Sequence, residues 1–288
     1  MKKPPLITLY TPGNRKEFIE KANKYNPDAI IVDLEDAVPV DLKEKVRGEL
    51  CDLLPNLPGQ CLVRVNGEPE YLEKDLKAVA CPQVYGVVLP KADRVALIKK
   101  ADRILTRLEK ERKMVKNSIK LFLLIETALC VFRCFEVATA AARVETVIFG
   151  SAEDADLQRD LKCAWSIEGT ELLYARSKVL LEARAAGLPY VLDGAFSNIH
   201  DDELLRQDCI LSKRLGYDGR TLIHPKQLAI AREIYAPSSH ELDYHARLIR
   251  AFEEAEARGL AAITFEGKLV DYAMYKKAKT LLSSEAEK

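Results

Sequence analysis

The sequence lacks an excess of charge of either sign. Its 288 residues include 44 Lys and Arg and 44 Asp and Glu, so the formal net charge is zero at neutral pH. Proteins that bind nucleic acid or anionic membranes through their overall field carry a basic balance, so we expect neither partner. No apolar run approaches the ~18 residues that cross a bilayer, and the first residues contain no apolar signal core. These absences predict a cytoplasmic protein.

Paired cysteine motifs are missing as well. The seven cysteines are an odd number without any CxxC pair: Cys51, Cys61, Cys81, Cys130, Cys134, Cys163 and Cys209. Disulfide frameworks and structural zinc sites show paired spacing. We therefore interpret the cysteines as free thiols in a reducing compartment.

What the sequence contains is a regular alternation of two patterns. Eight short runs rich in Ile, Val and Leu alternate with longer amphipathic segments, and these runs occupy residues 6–10, 29–34, 61–65, 84–90, 119–126, 144–150, 189–194 and 216–223. Continuous apolar runs are typical of parallel strands buried on both faces. The alternation predicts an α/β fold, a (β/α)8 TIM barrel over residues 1–236, with a doubly wound open sheet as the alternative. Residues 237–288 are predicted to form a C-terminal extension of two helices joined by a short loop.

Charged or polar side chains follow nearly every predicted strand. In chain order they are Asn14 and Arg15, then Asp33, Glu35 and Asp36, then Arg64, Lys91, Glu126, Glu153, Asp154 and Asp156, and finally Asp193 and His224. The carboxyl ends of barrel strands gather on one face, where enzymes with this fold hold their active sites. The pattern therefore predicts an active site on that face.

Glu126 is the most informative of these residues, because it interrupts the apolar stretch 121–132. A buried ionised carboxylate is unstable unless positive charge meets it. One hypothesis is a Mg2+ ion held by Glu126 and Asp154, with water and substrate as further ligands. The other is a structural ion pair between Glu126 and Arg64 or Lys91. Lys91 also leaves open a metal-free aldolase that works through a Schiff base.

The strand-end motifs, taken in order, resemble the citrate lyase beta-subunit-like family, which is related to malyl-CoA and citramalyl-CoA lyases. The resemblance covers roughly residues 5–282 and rests on nine segments: "LYTPGNR", "IIVDLEDAV", "VRVNG", "GVVLPKAD", "LLIETA", "FGSAEDADLQRDL", "EGTELLYAR", "LGYDGRTLIHPKQ" and "GKLVDYAMYKKA". It implies a Mg2+-dependent TIM-barrel lyase that cleaves or forms a carbon–carbon bond in 3-hydroxyacyl thioesters. It also implies a homo-oligomer, a trimer or hexamer.

Through this resemblance Glu126 and Asp154 match the metal ligands, and Arg64 matches the catalytic residue that holds the substrate oxygens. Glu35 and Asp36 match an acidic layer behind them that supports Arg64 and the metal-bound water.

Three further assignments rest on the same resemblance. Asn14 and Arg15 lie where relatives contact the thioester carrier, and Lys91 matches a charge near the substrate. Asp271 matches an acid/base residue that some relatives lend to a neighbouring subunit, so residues 237–288 are expected to form a lid and oligomerisation segment.

The reaction expected from the resemblance converts a citryl-, malyl- or citramalyl-type thioester into a 2-oxo acid and an acyl thioester. Two alternatives keep the same site. One is a malyl-CoA-type thioesterase, and the other is a citrate lyase beta subunit that acts on an acyl-carrier-protein thioester. The Schiff-base aldolase remains the metal-free alternative.

Overall fold

The computed structural model describes residues 3–286, with side chains up to residue 283. The chain divides into two compact units, Met1–Tyr235 and Ala236–Lys288.

The first unit is built around eight parallel strands. In chain order they are β1 (Ile7–Pro12), β2 (Ala29–Asp33), β3 (Cys61–Arg64), β4 (Val84–Leu89), β5 (Lys120–Ile125), β6 (Val144–Phe149), β7 (Leu192–Asp193) and β8 (Gly219–Leu222). Each strand pairs with the next along the chain, and β8 pairs with β1, so the sheet closes into a barrel. The predicted (β/α)8 barrel is confirmed, and the open-sheet alternative is wrong.

Helices follow the strands on the outside of the barrel. They are α1 (Lys16–Ala22), α2 (Lys43–Leu53), α3 (Pro69–Val79), α4 (Val95–Glu111), α5 (Ala128–Phe132), α6 (Cys134–Ala138), α7 (Asp156–Leu161), α8 (Leu173–Ala185), α9 (Asp202–Leu215) and α10 (Gln227–Tyr235). None of the helices within residues 3–286 combines the length and the apolar character needed to cross a membrane.

The apolar strand runs divide their side chains between two cores. One set of alternate residues fills the barrel interior, with Ile31, Leu62, Phe122 and Ile148 among them, while the other set packs against the helices. Both faces of each strand are therefore buried, which explains why the sequence shows continuous runs rather than alternation. Gly86 leaves room for this interior, because a Cβ there would lie 2.7 Å from the Phe122 ring.

Strand register brings the polar strand ends to one level. Asp33 is the register partner of Arg64 on the neighbouring strand, and Pro12 is the partner of Asp33 on the other side. Side chains that leave adjacent strands at the same level lie within contact distance of each other. The barrel thus places the acidic end of β2 directly beside the basic end of β3.

The second unit corrects one prediction. It contains α11 (Ser239–Glu256), a hairpin of β9 (Ala262–Phe265) and β10 (Lys268–Asp271), and α12 (Tyr272–Ala286). A two-helix extension is therefore wrong over 262–271. Glu266 and Gly267 both have positive φ, 48° and 77°, as a two-residue hairpin turn requires. The strand-favouring residues on either side of "EG" indicate a hairpin. The helix-like spacing of apolar residues in this segment led to the helix prediction instead.

A buried ion pair outside the cavity region links α4 to the barrel. Arg143, which is fully buried, donates to Glu109 at 2.9 Å and to Asp102 at 2.5 Å. Glu109 also accepts the backbone N–H groups of Asn117 and Ile119. Removing one member of such a pair leaves the other charge buried without its partner, which costs more than the pair itself contributes.

We therefore expect Glu109→Gln to lower the free energy of unfolding by about 3 kcal/mol, measured by urea denaturation. The matched control is Glu111→Gln, two residues further along the same helix but exposed, with an expected change within about 0.5 kcal/mol. Equal losses in the two variants would contradict this account.

The Glu109 effect should also depend on pH. Burial alone would raise the pKa of Glu109, but Arg143 and the two N–H groups hold that pKa below its usual value. The stabilisation is then complete above the unfolded-state pKa of about 4.3 and is lost as the pH falls through the lowered value. The difference in unfolding free energy between wild type and Glu109→Gln should begin to shrink as the pH falls below about 4.3, and a difference that stays constant down to pH 2 would argue against this account.

Candidate active site

A cavity of about 470 Å3 opens at the carboxyl ends of the barrel strands. Five carboxylates line it, those of Asp33, Asp36, Glu126, Asp154 and Asp156, together with the guanidinium groups of Arg64 and Arg159. Acidic groups thus outnumber basic ones around the cavity. This imbalance favours a bound cation.

Arg64 lies within a ring of acidic side chains from β2 and the loop after it. Its guanidinium donates two hydrogen bonds to Asp33, at 2.7 and 2.5 Å, which is the bidentate geometry that fixes an arginine most firmly. Its Nη1 lies 2.9 Å from Glu35 and 3.3 Å from Asp36. Only 12% of the Arg64 side chain is exposed, and the guanidinium lies over the Tyr10 ring. The structure therefore brings together the predicted residues Arg64, Glu35 and Asp36.

Glu126 occupies the position immediately after β5 and is 8% exposed. Its Oε1 accepts the backbone N–H of Lys91 at 2.8 Å. Within the described part of the chain it forms no salt bridge with Arg64, Lys91 or another cation. The ion-pair hypothesis for Glu126 is therefore not supported.

Burial raises the pKa of Glu126 to about 7, although the Lys91 N–H and nearby cations act in the opposite direction. Gly150, directly after β6, lies against it, and a Cβ there would be 2.7 Å from the Cβ of Glu126. The Glu126 carboxylate is therefore tightly packed, and no cation pairs with it within the described residues.

Asp154 lies in the loop between β6 and α7, exposed on the cavity wall. Its φ is +59°, in the left-handed region that non-glycine residues rarely adopt. Its N–H donates to Oε1 of Gln158 at 2.5 Å, and the amide of Gln158 donates to the carbonyl of Cys163. A buried glutamine thus holds this loop in its unusual conformation. Such conformations cluster at functional sites.

Lys91 connects two acidic groups across the cavity region. Its Nζ lies 3.0 Å from Asp156 and 3.6 Å from Glu35. Burial acts against its charge, but Asp156 and Glu35 raise the pKa of Lys91 above its usual value. A Schiff-base lysine needs a lowered pKa to be a nucleophile at neutral pH. The environment of Lys91 therefore argues against the metal-free aldolase.

Asn14 and Arg15 follow β1 and are not among the residues that line the acidic cavity. Arg15 pairs with Glu17 at 2.6 Å and its guanidinium lies 4.3 Å from the centre of the Phe18 ring. A second cavity of about 420 Å3 shares wall residues with the first, and its lining includes Phe18 but neither Asn14 nor Arg15. The wall residues in common are Tyr10, Thr11, Pro12 and Ile223, while Phe18, Lys21, Tyr25 and His224 line the second cavity alone.

Asp271 belongs to the second unit, at the last position of β10. Its Oδ1 accepts the backbone N–H groups of Ala273 and Met274, at 2.9 and 3.2 Å. This is the geometry of an N-cap for α12, a role that the sequence analysis missed. Its acid/base role stays a prediction.

Two residues of the site were not assigned a role from the sequence. Asp33 forms the bidentate bond to Arg64, and its carboxylate also accepts the N–H groups of Glu35 and Ala37. Asp156 pairs with Lys91. Both follow strands in the predicted acidic clusters, so the signal was present. Which acid of each cluster contacts Arg64 or Lys91 depends on the direction of its side chain. The pattern of residue types does not give that direction.

The carboxylate oxygens of Glu126 and Asp154 are ligands of the kind that hard divalent cations such as Mg2+ bind. Within residues 3–286, no group of three or more His, Cys, Asp and Glu side chains surrounds one point, so Glu126 and Asp154 would supply only part of a coordination shell. Mg2+ usually keeps several waters and takes one or two carboxylates. A cation here would also offset the excess of acidic groups and meet the buried charge of Glu126.

By its architecture this protein is a (β/α)8 barrel with an acidic cavity at the carboxyl ends of its strands. The chain belongs to the HpcH/HpaI aldolase/citrate lyase family, which it matches over residues 6–225.

Relatives of this chain include citrate lyase beta subunits and thioesterases. The chain is 31% identical to the citrate lyase subunit beta of Leuconostoc mesenteroides subsp. cremoris, covering 95% of this chain and 91% of the relative. It is 35% identical to a (3S)-malyl-CoA thioesterase of Cereibacter sphaeroides, covering 91% and 88%.

A solved structure with similar architecture is that of the protein CitE from Mycobacterium tuberculosis in complex with magnesium, acetoacetate and coenzyme A. It superposes with a TM-score of 0.78 at 27% identity and covers 99% of this chain and all of that one.

The ring of acids around Arg64 predicts a large stability effect. Arg64→Met would leave the buried carboxylate of Asp33 without its counter-charge, so we expect a loss of about 3–5 kcal/mol in the free energy of unfolding. Arg159→Met is the control, because Arg159 lines the same cavity but is exposed, and a change within about 0.5 kcal/mol is expected. Urea denaturation measures both, and a negligible loss for Arg64→Met would contradict the proposed packing of charge.

Proposed function

We propose that this protein is a Mg2+-dependent lyase that cleaves or forms the carbon–carbon bond of a 3-hydroxyacyl thioester of the citryl-, malyl- or citramalyl-CoA type. The observation that carries the proposal is the placement of Glu126 and Asp154 on the wall of one cavity with Arg64. A citrate lyase subunit beta among the relatives and magnesium in a similar structure support it.

Glu126 and Asp154 would hold the metal, and a bound Mg2+ supplies Lewis-acid polarisation of substrate oxygens. Glu126 accepts the Lys91 N–H through one oxygen, which leaves its other oxygen for the metal. The fixed loop conformation of Asp154 presents the second carboxylate without reorganisation.

Arg64 would stabilise the negative charge that develops on the thioester oxygen as the bond breaks. Preorganised positive charge at that place is the most effective way to lower such a barrier. Arg64 donates two hydrogen bonds to Asp33, and its Nη1 forms ion pairs with Glu35 and Asp36. These acids position the guanidinium, while Lys91 pairs with Asp156 and Glu35.

The thioester carrier would extend past Asn14 and Arg15 along the second cavity, which adjoins the first. Phe18 and Tyr25 offer exposed aromatic surface there, and Lys21 offers a positive charge for phosphate. Asp271 would return a proton to the acyl product from a neighbouring subunit of a homo-oligomer.

Hydrolysis is the second candidate, because the chain is similar to a (3S)-malyl-CoA thioesterase. The same residues would then bind a malyl-type thioester, and free CoA with an intact hydroxy acid would be the products. Likeness to citrate lyase subunits beta favours a third candidate, an assembly subunit that acts on an acyl-carrier-protein thioester.

Turnover of malyl-, citramalyl- and citryl-CoA with Mg2+, and then with EDTA, tests the proposal. We expect metal-dependent release of a 2-oxo acid. Release of free CoA with the hydroxy acid intact would replace the lyase by the thioesterase. If all three esters remain intact while a carrier-protein thioester is cleaved, the assembly subunit is correct.

Metal binding is tested separately by calorimetric titration with Mg2+. Glu126→Gln and Asp154→Asn should each weaken Mg2+ binding by at least about 100-fold, because each removes a charged ligand, and should lower activity by orders of magnitude. Glu153→Gln is the matched control, since this exposed neighbour of Asp154 does not line the cavity. Unchanged Mg2+ affinity in both ligand variants would contradict the assignment.

Asp271 can be tested by separating its two roles. Asparagine is as good an N-cap as aspartate, so Asp271→Asn should keep α12 and the melting temperature while removing the acid/base group. We expect kcat to fall at least about 100-fold. Asp271→Ser, another good cap, should behave in the same way. If either variant keeps wild-type kcat, Asp271 serves only as a cap.

A further inference from the structure

Asp193 is a strand-end acid that does not reach the cavity. It is the last residue of β7, is fully buried, and is not among the residues that line the cavity, although the next residue, Gly194, is one of them. Its Oδ1 accepts the hydroxyl of Ser151 at 3.0 Å and the N–H of Gly194 at 2.8 Å. A carboxylate at the level of the site but without access to it can act on the site only through such neighbours.

Two buried arginines and a second buried aspartate connect Asp193 to the helices around the barrel. Arg176 Nη2, on α8, lies 3.0 Å from Asp193 Oδ2 and 3.0 Å from Asp208 Oδ1 on α9. Arg220 Nη2, on β8, donates to Asp208 Oδ2 and to the carbonyl of Gly194, both at 2.8 Å. The contacts therefore close on themselves through Gly194. We refer to Arg176, Asp193, Asp208 and Arg220 as the charge ring.

Stability alone is a weak reason for the charge ring. Taking a charge out of water costs several kcal/mol per ion, and buried ion pairs can often be replaced by apolar side chains without loss of stability. What charged groups add is direction, because Arg176 and the N–H of Gly194 fix the orientation of the Asp193 carboxylate. A hydroxyl also binds an ionised carboxylate more strongly than a neutral acceptor. The Ser151 hydroxyl is thus held by a rigid and strong acceptor.

Ser151 stands near the start of the loop that carries Asp154, residues 150–155 between β6 and α7. The other end of the loop is fixed by Gln158, which accepts the N–H of Asp154. The backbone at Ser151 also packs closely against β7, because a Cβ on Gly194 would lie 2.7 Å from the Ser151 nitrogen. Asp154 therefore lies between two anchors, and the Ser151 anchor leads to the charge ring.

We propose that Ser151 and Asp193 form a positioning pair for the metal site, through which the charge ring fixes the loop that presents Asp154. The inference rests on the proposed function, in which Asp154 is a metal ligand. Neither member of the pair lines the cavity, so the pair acts through orientation. A loop that is fixed in advance loses little entropy when the metal binds. Partners that orient metal ligands contribute to metal affinity in this way.

Calorimetric titration of the full chain with Mg2+ tests the pair. Ser151→Ala removes one hydroxyl and leaves every charge of the ring in place, and it should weaken Mg2+ binding about 10-fold. Asp193→Asn should weaken it as well. Adding Ser151→Ala to Asp193→Asn should then change the affinity less than Ser151→Ala does in the wild type, since both act through one bond. If Asp193→Asn does not fold, Ser151→Ala alone decides.

Ser212→Ala is the matched control. Ser212 is buried on α9, and its hydroxyl accepts the O–H of Tyr235 at 2.6 Å. The variant should lower the unfolding free energy by a similar amount to Ser151→Ala but keep wild-type Mg2+ affinity. Hydrogen exchange of the metal-free protein, followed by mass spectrometry, gives a second readout. Residues 150–155 should exchange faster in Ser151→Ala and at the wild-type rate in Ser212→Ala.

Wild-type Mg2+ affinity and wild-type exchange in Ser151→Ala would overturn the proposal. So would equal losses of affinity in Ser151→Ala and Ser212→Ala, since the effect would then be a general loss of packing. Failure of the proposed function is recognised separately, in the wild type. A wild type that binds no Mg2+ overturns both, whereas weaker Mg2+ binding in Ser151→Ala supports the pair even if no thioester is cleaved.

Discussion

Arg64 is the charge around which the carboxyl end of this barrel is arranged. It meets Asp33 at the same register level of the neighbouring strand, and Glu35 and Asp36 reach it from the loop that follows. These acids lie close together, and each of them forms an ion pair with the guanidinium. Burial raises the pKa of Glu35 to about 8 even with Arg64 beside it. The guanidinium therefore serves both the stability of this end of the barrel and the charge pattern of the cavity.

The two predicted metal ligands, Glu126 and Asp154, differ in their burial and in the element that positions them. Glu126 is buried after β5 and accepts the backbone N–H of Lys91, whereas Asp154 is exposed on a loop that Gln158 holds in a left-handed conformation. One ligand is thus placed by a strand and the other by a loop. A cation bound by both carboxylates would offset the buried charge of Glu126. It would also account for the left-handed backbone of Asp154, because such conformations cluster at functional sites.

The sequence predicted those parts of the structure that depend on pattern and missed those that depend on direction. Runs of mainly apolar residues located all eight strands, because the side chains on both faces of these strands are largely buried. The acidic group after β2 was also visible, but which of its members contacts Arg64 through two bonds was not, since neighbouring strand residues point to opposite faces. Helical spacing in the last segment concealed the β9–β10 hairpin, where the turn residues Glu266 and Gly267 were the better guide.

The central claim is that Glu126 and Asp154 share one divalent cation. Anomalous scattering from crystals grown with Mn2+, an oxygen-seeking ion that replaces Mg2+, tests it most directly. The account predicts one strong peak within coordination distance of both carboxylates, in the cavity that Arg64 lines. A peak bound elsewhere, or no peak in crystals that hold an ordered and ionised Glu126, would contradict it.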